Sequence, residues 1–465
     1  MFPSEGGAMQ KTFLITATCL IGILNCQEIK HAVLDEMREE FLQSARYRAM
    51  QNAVSRNHLS DVAMDWNRFS AISHVFSHTI SNELRATSQS QSGRCWFFAA
   101  LNMLRVHVAR EHNLNDFEFS QSYLFFWDKL EKANYFLETV IETADRPYDD
   151  RLVSWLFRHI SDDGGDWHMA VNLINKYGVV PQSVFPENAA CYHSGALNRV
   201  LDLKLREDGI ILREMIRDGR DSKTITQEKD RMIKEIYRIL SIHMGTPPVQ
   251  FNWDFLDKNR NFQSYRNLTP YSFYENHVKI DLNDYVCLGN SPREETPYYN
   301  VYDLERVRNV VEGCPTIFLN VPIEEMKRAA ALSLLDDEPV YFTCDVTKTF
   351  HLNLGVMDTK LYDLNLVYDL NFGMTKEQRM NYGHSSPAHA MLFTGVNIED
   401  DLPTKWRVEN SWGTDVGEKG YFLMTDEWFD EYMFEVVVHI RHLPEHLLQY
   451  LDLPPIPLEP WDPFY

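Results

Sequence analysis

Basic residues are in short supply. Lys and Arg number 45 against 67 Asp and Glu, a net charge of −22. Such an acidic chain repels polyphosphate, because nucleic-acid binding rests on basic side chains replacing counterions, so DNA and RNA are not expected partners. The seven cysteines (Cys19, Cys26, Cys95, Cys191, Cys287, Cys314, Cys344) include no C-x-x-C pair, a usage that suits a reducing compartment rather than a disulfide framework. The phosphate-cradling and serine-nucleophile patterns G-x-x-x-x-G-K-[ST], G-x-G-x-x-G and G-x-S-x-G are all missing, which leaves nucleotide and serine-hydrolase chemistry without support. His74 and His78 lie four apart on an expected helix, but the glutamate of a zinc peptidase is absent between them. No metal or organic cofactor is expected. His442 and His446 flank Pro444 and read as surface residues.

The apolar run from Thr12 to Leu24 is too short to span a bilayer, so no membrane partner is expected. It has the length of a signal-peptide core, although Asn25, Cys26 and Gln27 make a poor cleavage site. The expected location is cytoplasmic, with secretion through a signal peptide around residues 9–26 as the alternative.

What remains is a chain of 465 residues with 44% hydrophobic and 13% aromatic content, enough for large cores. Residues 28–68 carry an amphipathic, charged pattern (Val33, Leu34, Met37, Phe41, Leu42) that predicts surface-lying helices. Helical text continues to about Tyr177, where Gly178 and Pro181 close it, and returns from Leu201 to His243. Residues 246–300, rich in Pro, Asn, Asp and Tyr, read as a surface insertion of loops and short strands. Strand signals gather late, at 340–346, 390–396, 406–408, 421–424 and 434–438. The proline-rich stretch from Leu453 onward should run extended.

One cysteine stands apart. Cys95 follows the small polar loop Ser88–Arg94 and opens an apolar, buried helix, where the unpaired N–H groups of the first turn favour thiolate over thiol. Gln89, six residues upstream, can bring its amide N–H2 beside the Cys95 backbone N–H, forming an oxyanion hole. A thiol nucleophile also needs an imidazole and a group that fixes its tautomer. His389 enters an apolar strand after the turn 383–387. Asn410, twenty-one residues on, ends another strand, and Trp412 can shield an imidazole–amide bond from water.

The segments around Gln89–Trp96, His389 and Asn410–Tyr421 resemble the three signature regions of papain-like cysteine peptidases. A closer resemblance, to the bleomycin hydrolase branch of thiol aminopeptidases, covers nearly everything from Phe41 on. It is carried by Ser92-Gly-Arg-Cys-Trp96, Asp163-Gly-Gly-Asp-Trp167, Lys176-Tyr-Gly-Val-Val-Pro181, Cys344-Asp-Val346, Trp406-Arg-Val-Glu-Asn-Ser-Trp412, Met424-Thr-Asp-Glu-Trp428 and Trp461-Asp-Pro463. The Gln-x5-Cys and Asn-Ser-Trp contexts argue against a transglutaminase or an arylamine acetyltransferase.

The resemblance implies an α+β, papain-like two-lobe fold: a helical lobe and an antiparallel β-barrel-like lobe, with large helical insertions for oligomerisation. Its expected organisation is an N-terminal extension or signal peptide (1–27), N-terminal helices and the helical lobe with Cys95 (28–185), an insertion for oligomerisation (186–330), the β-rich lobe with His389 and Asn410 (331–442) and a C-terminal arm in the cleft (443–465). It assigns the catalytic roles to Cys95, His389, Asn410 and Gln89, supporting roles to Trp96 and Trp412, and substrate contact to Gly164, Gly165 and Tyr465. Peptides with a free N-terminus are the implied substrates, with bleomycin-like amides and homocysteine thiolactone, and a homohexameric ring is the implied assembly. After Trp461-Asp-Pro463 come only Phe464 and Tyr465, where relatives continue. The alternatives are thus a cysteine peptidase with a relaxed amino-terminal requirement and, from another class, a non-catalytic oligomeric binding protein.

Overall fold

The computed structural model describes residues 28–464. The expected signal-peptide stretch at 9–26 and the substrate contact at Tyr465 lie outside the described residues. In chain order the strands are β1 (His78–Thr79), β2 (Phe251–Leu256), β3 (Phe262–Leu268), β4 (Tyr285–Gly289), β5 (Asn300–Leu304), β6 (Ile317–Asn320), β7 (Val340–Cys344), β8 (Phe350–His351), β9 (Val356–Met357), β10 (His389–Glu399), β11 (Leu402–Glu409), β12 (Tyr421–Thr425), β13 (Met433–His439) and β14 (Ile456–Leu458). All but the β2–β3 hairpin join one sheet, ordered β14-β5-β6-β4-β13-β7-β10-β11-β12-β9-β8, with β1 against β10.

Strand β7 shows why the late apolar runs fold as they do. It is buried along its whole length between antiparallel neighbours β10 and β13, and a strand covered on both faces needs an unbroken apolar run rather than alternation. Tyr341 packs with Leu392 and Val437 toward the helical side. Val340, Phe342 and Cys344 face the opposite core with Met391, Phe393 and Val436, which the helix Ile323–Leu335 covers. The rings of Phe342 and Phe393 stack at 3.9 Å.

The helical side is built around Cys95–Glu111, buried nearly all round as its composition predicts. Helix Gln121–Glu142 is capped by Ser120, whose Oγ accepts the Tyr123 N–H, and Trp167–Tyr177 is capped by Asp166. Gly178, at φ +70°, ends the latter, a conformation open to glycine at little cost. The helical text from Leu201 becomes two helices, Gly195–Arg217 and Ser222–Met244.

The chain forms two compact units, residues 28–63 with 366–370 and the remainder. The first holds the amphipathic helices His31–Gln43 and Ala45–Val54. In it Val33, Leu34, Met37, Phe41 and Leu42 are exposed.

Three sequence expectations give way. Residues 246–300 are not all a surface insertion, because β4 runs through the main sheet between β6 and β13; its short apolar run, Val286–Leu288, is masked by the polar residues around it. His74 and His78 are not on a helix: His78 starts β1 and His74 lies in irregular chain. His442 is buried, with Nε2 at 3.0 Å from Glu338 Oε2, whereas His446 is exposed as expected. No helix among the described residues is long and apolar enough to cross a membrane, and no group of three or more potential metal ligands is found among them.

Candidate active site

Cys95 is the first residue of its helix, and no side chain caps that helix end. Its N-terminal N–H groups are left for the half-buried thiol and whatever lies beside it. Burial pushes the thiol upward, opposed by hydrogen bonds from the backbone N–H groups of Ala390, Trp96 and Cys95 itself. The preceding loop is clamped from two sides. Arg94, fully buried, makes a two-pronged pair with Glu187 at 2.9 and 2.7 Å and also donates to Cys191 O. Asp163 accepts the Gly93 N–H at 3.1 Å and pairs with Lys129 at 2.8 Å. Burial alone would raise the Asp163 carboxyl, but the Lys129 charge outweighs it and holds the group well below the usual range.

His389 begins β10, in register with Cys344 of β7. Its Nε2 lies 2.9 Å from Asn410 Oδ1, which leaves Nδ1 as the free ring nitrogen. Asn410 is fully buried immediately after β11, and its Oδ1 also accepts the Ser411 N–H. The Trp412 ring lies 4.8 Å from the His389 ring, covering the imidazole–amide bond. Burial lowers His389 to about 4, opposed by the Asn410 bond.

Gln89 ties the two sides together. Its backbone N–H donates to Ser411 O, its Oε1 accepts from Ser411 Oγ at 2.6 Å, and its Nε2 donates to Ser92 O at 2.6 Å. Gln89, Cys95, Gly164, Gly165 and His389 line a common cleft of about 340 Å³. Two larger cavities, of about 450 Å³ beside Met50 and about 770 Å³ beside Arg213, are lined by no cysteine or histidine. Chemistry, not volume, singles out the cleft.

The arm reaches this cleft. Strand β14 pairs in parallel with β5, Asp462 pairs with Arg293 at 2.7 Å, and the Phe464 ring stacks on Phe318 at 4.1 Å. Phe464 is buried and lines the cleft.

With this geometry in view, residues 28–465 match the model of the peptidase C1-like family. The chain belongs to that family. It is 43% identical to bleomycin hydrolase of Homo sapiens over 422 residues, covering 89% of this chain and 93% of that protein. It is 39% identical to aminopeptidase C of Listeria monocytogenes over 436 residues, covering 94% and 98%. The crystal structure of PepW from Lactobacillus rhamnosis HN001 superposes with a TM-score of 0.92 at 40% identity, over 94% of this chain and 98% of that one. The α+β, papain-like fold is thereby established, and the chain is a cysteine aminopeptidase.

The two glycines of this C1-like cleft have different reasons to be there. A Cβ on Gly165 would sit 2.6 Å from the Trp96 indole, whose Nε1 donates to Asp163 O. A Cβ on Gly164 would meet nothing within 4 Å. Gly165→Ala is therefore expected to cost about 1–3 kcal/mol of stability through overpacking. Gly164→Ala should leave the melting temperature within a degree or two and raise KM by narrowing the cleft. Thermal unfolding and steady-state kinetics of both variants test this, and equal behaviour of the pair would refute it.

The sequence gives no local sign of a role for Glu187, Asp166, Glu435 or the Arg105–Glu409 pair. Glu187 stands 93 positions from the arginine it serves, and no local pattern marks so distant a partner.

Proposed function

We propose that this aminopeptidase releases N-terminal residues from peptides and related amides by covalent thiol catalysis. Cys95 is the nucleophile, His389 its acid and base, Asn410 the residue that orients His389, and Gln89 an oxyanion donor. The observation that carries the reading is the meeting of a helix-start thiol and an amide-bonded imidazole in one cleft that also receives the arm.

Each group by itself resists charging in the buried cleft, but a thiolate and an imidazolium formed together offset one another's penalty. The thiolate attacks the amide carbonyl. The resulting oxyanion takes the Cys95 backbone N–H and the Gln89 amide hydrogen not committed to Ser92 O. His389 then protonates the leaving amine, and water, deprotonated by His389, opens the thioester. Phe464 at the cleft favours substrates that end there over chains that continue through it. Bleomycin-like amides and homocysteine thiolactone are further substrates under this reading, which also includes a cytoplasmic homohexamer.

Hydrolysis of a free-amine aminoacyl fluorogenic amide beside its N-acetylated twin tests the proposal. Turnover of the free-amine substrate alone is the expected result. Equal turnover would keep the thiol chemistry but overturn the amino-terminal requirement, and inertness of both would overturn the substrate class.

A further inference from the structure

The cleft holds two carboxyl groups that the proposed chemistry does not use. Glu435 of β13 and Asp166 both line it, and each is more than nine-tenths buried. Asp166 caps its helix through the Met169 N–H at 3.1 Å and accepts from Thr316 Oγ1 at 3.0 Å. Glu435 receives one hydrogen bond, from Thr343 Oγ1 at 3.2 Å. Among the described residues no lysine or arginine lies within ion-pair distance of either carboxyl, and the nearest ionisable nitrogen is His168 Nδ1, 4.0 Å from Asp166.

A third group lies behind the cleft wall, near both carboxyls. The Tyr341 hydroxyl is fully buried without a hydrogen-bond partner, within electrostatic reach of Glu435, Asp166 and Cys95. Buried carboxyls without a cation and a buried hydroxyl without a partner are both costly. Burial, with Asp166 nearby, pushes Glu435 up to about 8, and burial raises Asp166 to about 6. Burial therefore disfavours the ionised form of Glu435 in particular, and a nearby cation would favour it.

Strand register gives the order. Ala390, whose N–H meets the Cys95 thiol, pairs with Thr343, and Thr343 pairs with Glu435 and donates to its carboxyl, so the carboxyl lies on the cleft wall at Thr343, about one strand spacing, roughly 5 Å, from the strand that meets the thiol. The α-amine of the residue under attack is held roughly 2.5 Å from its own carbonyl carbon, close to the thiol, whereas a cation one residue or one side chain further out extends along the wall toward Thr343 and Glu435.

We propose that Glu435, Asp166 and the Tyr341 hydroxyl form a subsite for a substrate cation lying beyond the α-amine of the residue under attack. The cation is an α-ammonium one residue further out or the side chain of a lysine or arginine. This rests on the Cys95 peptidase reading, and the test separates the two.

Wild type, Glu435→Gln and Tyr341→Phe are compared on lysyl, methionyl, alanyl and alanyl-alanyl fluorogenic amides. Glu435→Gln is expected to lower one of two kcat/KM ratios, lysyl to methionyl or alanyl-alanyl to alanyl, roughly 10- to 100-fold, the effect of losing one hydrogen bond to a charged group. A fall in the first ratio identifies the side chain as the cation, and a fall in the second identifies the α-ammonium. Tyr341→Phe should lower the same ratio by a smaller factor, and it carries the test if Glu435→Gln fails to fold. Both ratios unchanged in a folded variant would overturn the proposal. Wild type inert on all four substrates would instead overturn the peptidase reading beneath it.

Discussion

Cys95→Ala is expected to lower kcat by about four to six orders of magnitude, the scale on which removing a covalent nucleophile acts, while leaving the fold intact. The other described thiols cannot take its place. Cys344 is the cross-strand partner of His389, but its side chain belongs to the core on the far face of the sheet, and burial raises its thiol well above the ordinary value. Cys287 is buried, with its sulfur 3.7 Å from His168 Nδ1, and its thiol too is pushed well up by burial. Cys191 is fully buried, and Cys314 does not line the cleft. Turnover of a free-amine fluorogenic amide by the purified variant, with thermal unfolding as the control on folding, decides the matter. A residual rate within tenfold of wild type would mean that the nucleophile lies elsewhere.

Arg105→Met is expected to destabilise the protein by about 3–5 kcal/mol, the usual cost of removing one partner from a buried ion pair. Arg105 lies on the Cys95 helix, and its Nη2 is 2.5 Å from Glu409 Oε1, both side chains being almost fully buried. Asn102, one turn earlier, donates to the same oxygen at 2.8 Å. Burial pushes Glu409 up to about 7, opposed by Arg105. Loss of the arginine would drive the carboxyl further toward its neutral form, which limits the penalty. Glu409 immediately precedes Asn410, so this pair fixes the amide bonded to His389 against the helix that starts at Cys95. Chemical denaturation of Arg105→Met and of the double variant Arg105→Met/Glu409→Gln tests the account. The second substitution should recover part of the loss, since a neutral amide can remain buried beside Asn102. A cost below 1 kcal/mol, or no recovery, would show that the pair is not what joins the two elements.

The residues that meet at the cleft were more legible in the sequence than those that support them. Cys95, His389 and Asn410 sit where local pattern changes abruptly, from loop to apolar helix, from turn to strand and from strand to an indole-bearing turn. The late strands were readable because burial on both faces demands long apolar runs, as in β7 and β10. β4 was not, because three apolar residues among Asp, Asn and Tyr carry little periodic signal. His442 looked like a surface residue because a proline-flanked segment is usually exposed; the Glu338 carboxylate that lets it be buried is 104 positions away. Gly165 lines the cleft as the resemblance implies, and the space a side chain would need there is taken by Trp96, a packing relation that no linear spacing encodes.

Strand β7 divides its residues by parity. Thr343 lines the cleft, Tyr341 packs into the core on the same face, and positions 340, 342 and 344 turn toward the far core. Selection on what the enzyme accepts and selection on whether it folds therefore meet within a single five-residue word, the first at one letter and the second at the other four. The substrate range of this protein can drift through position 343 while its neighbours stay fixed.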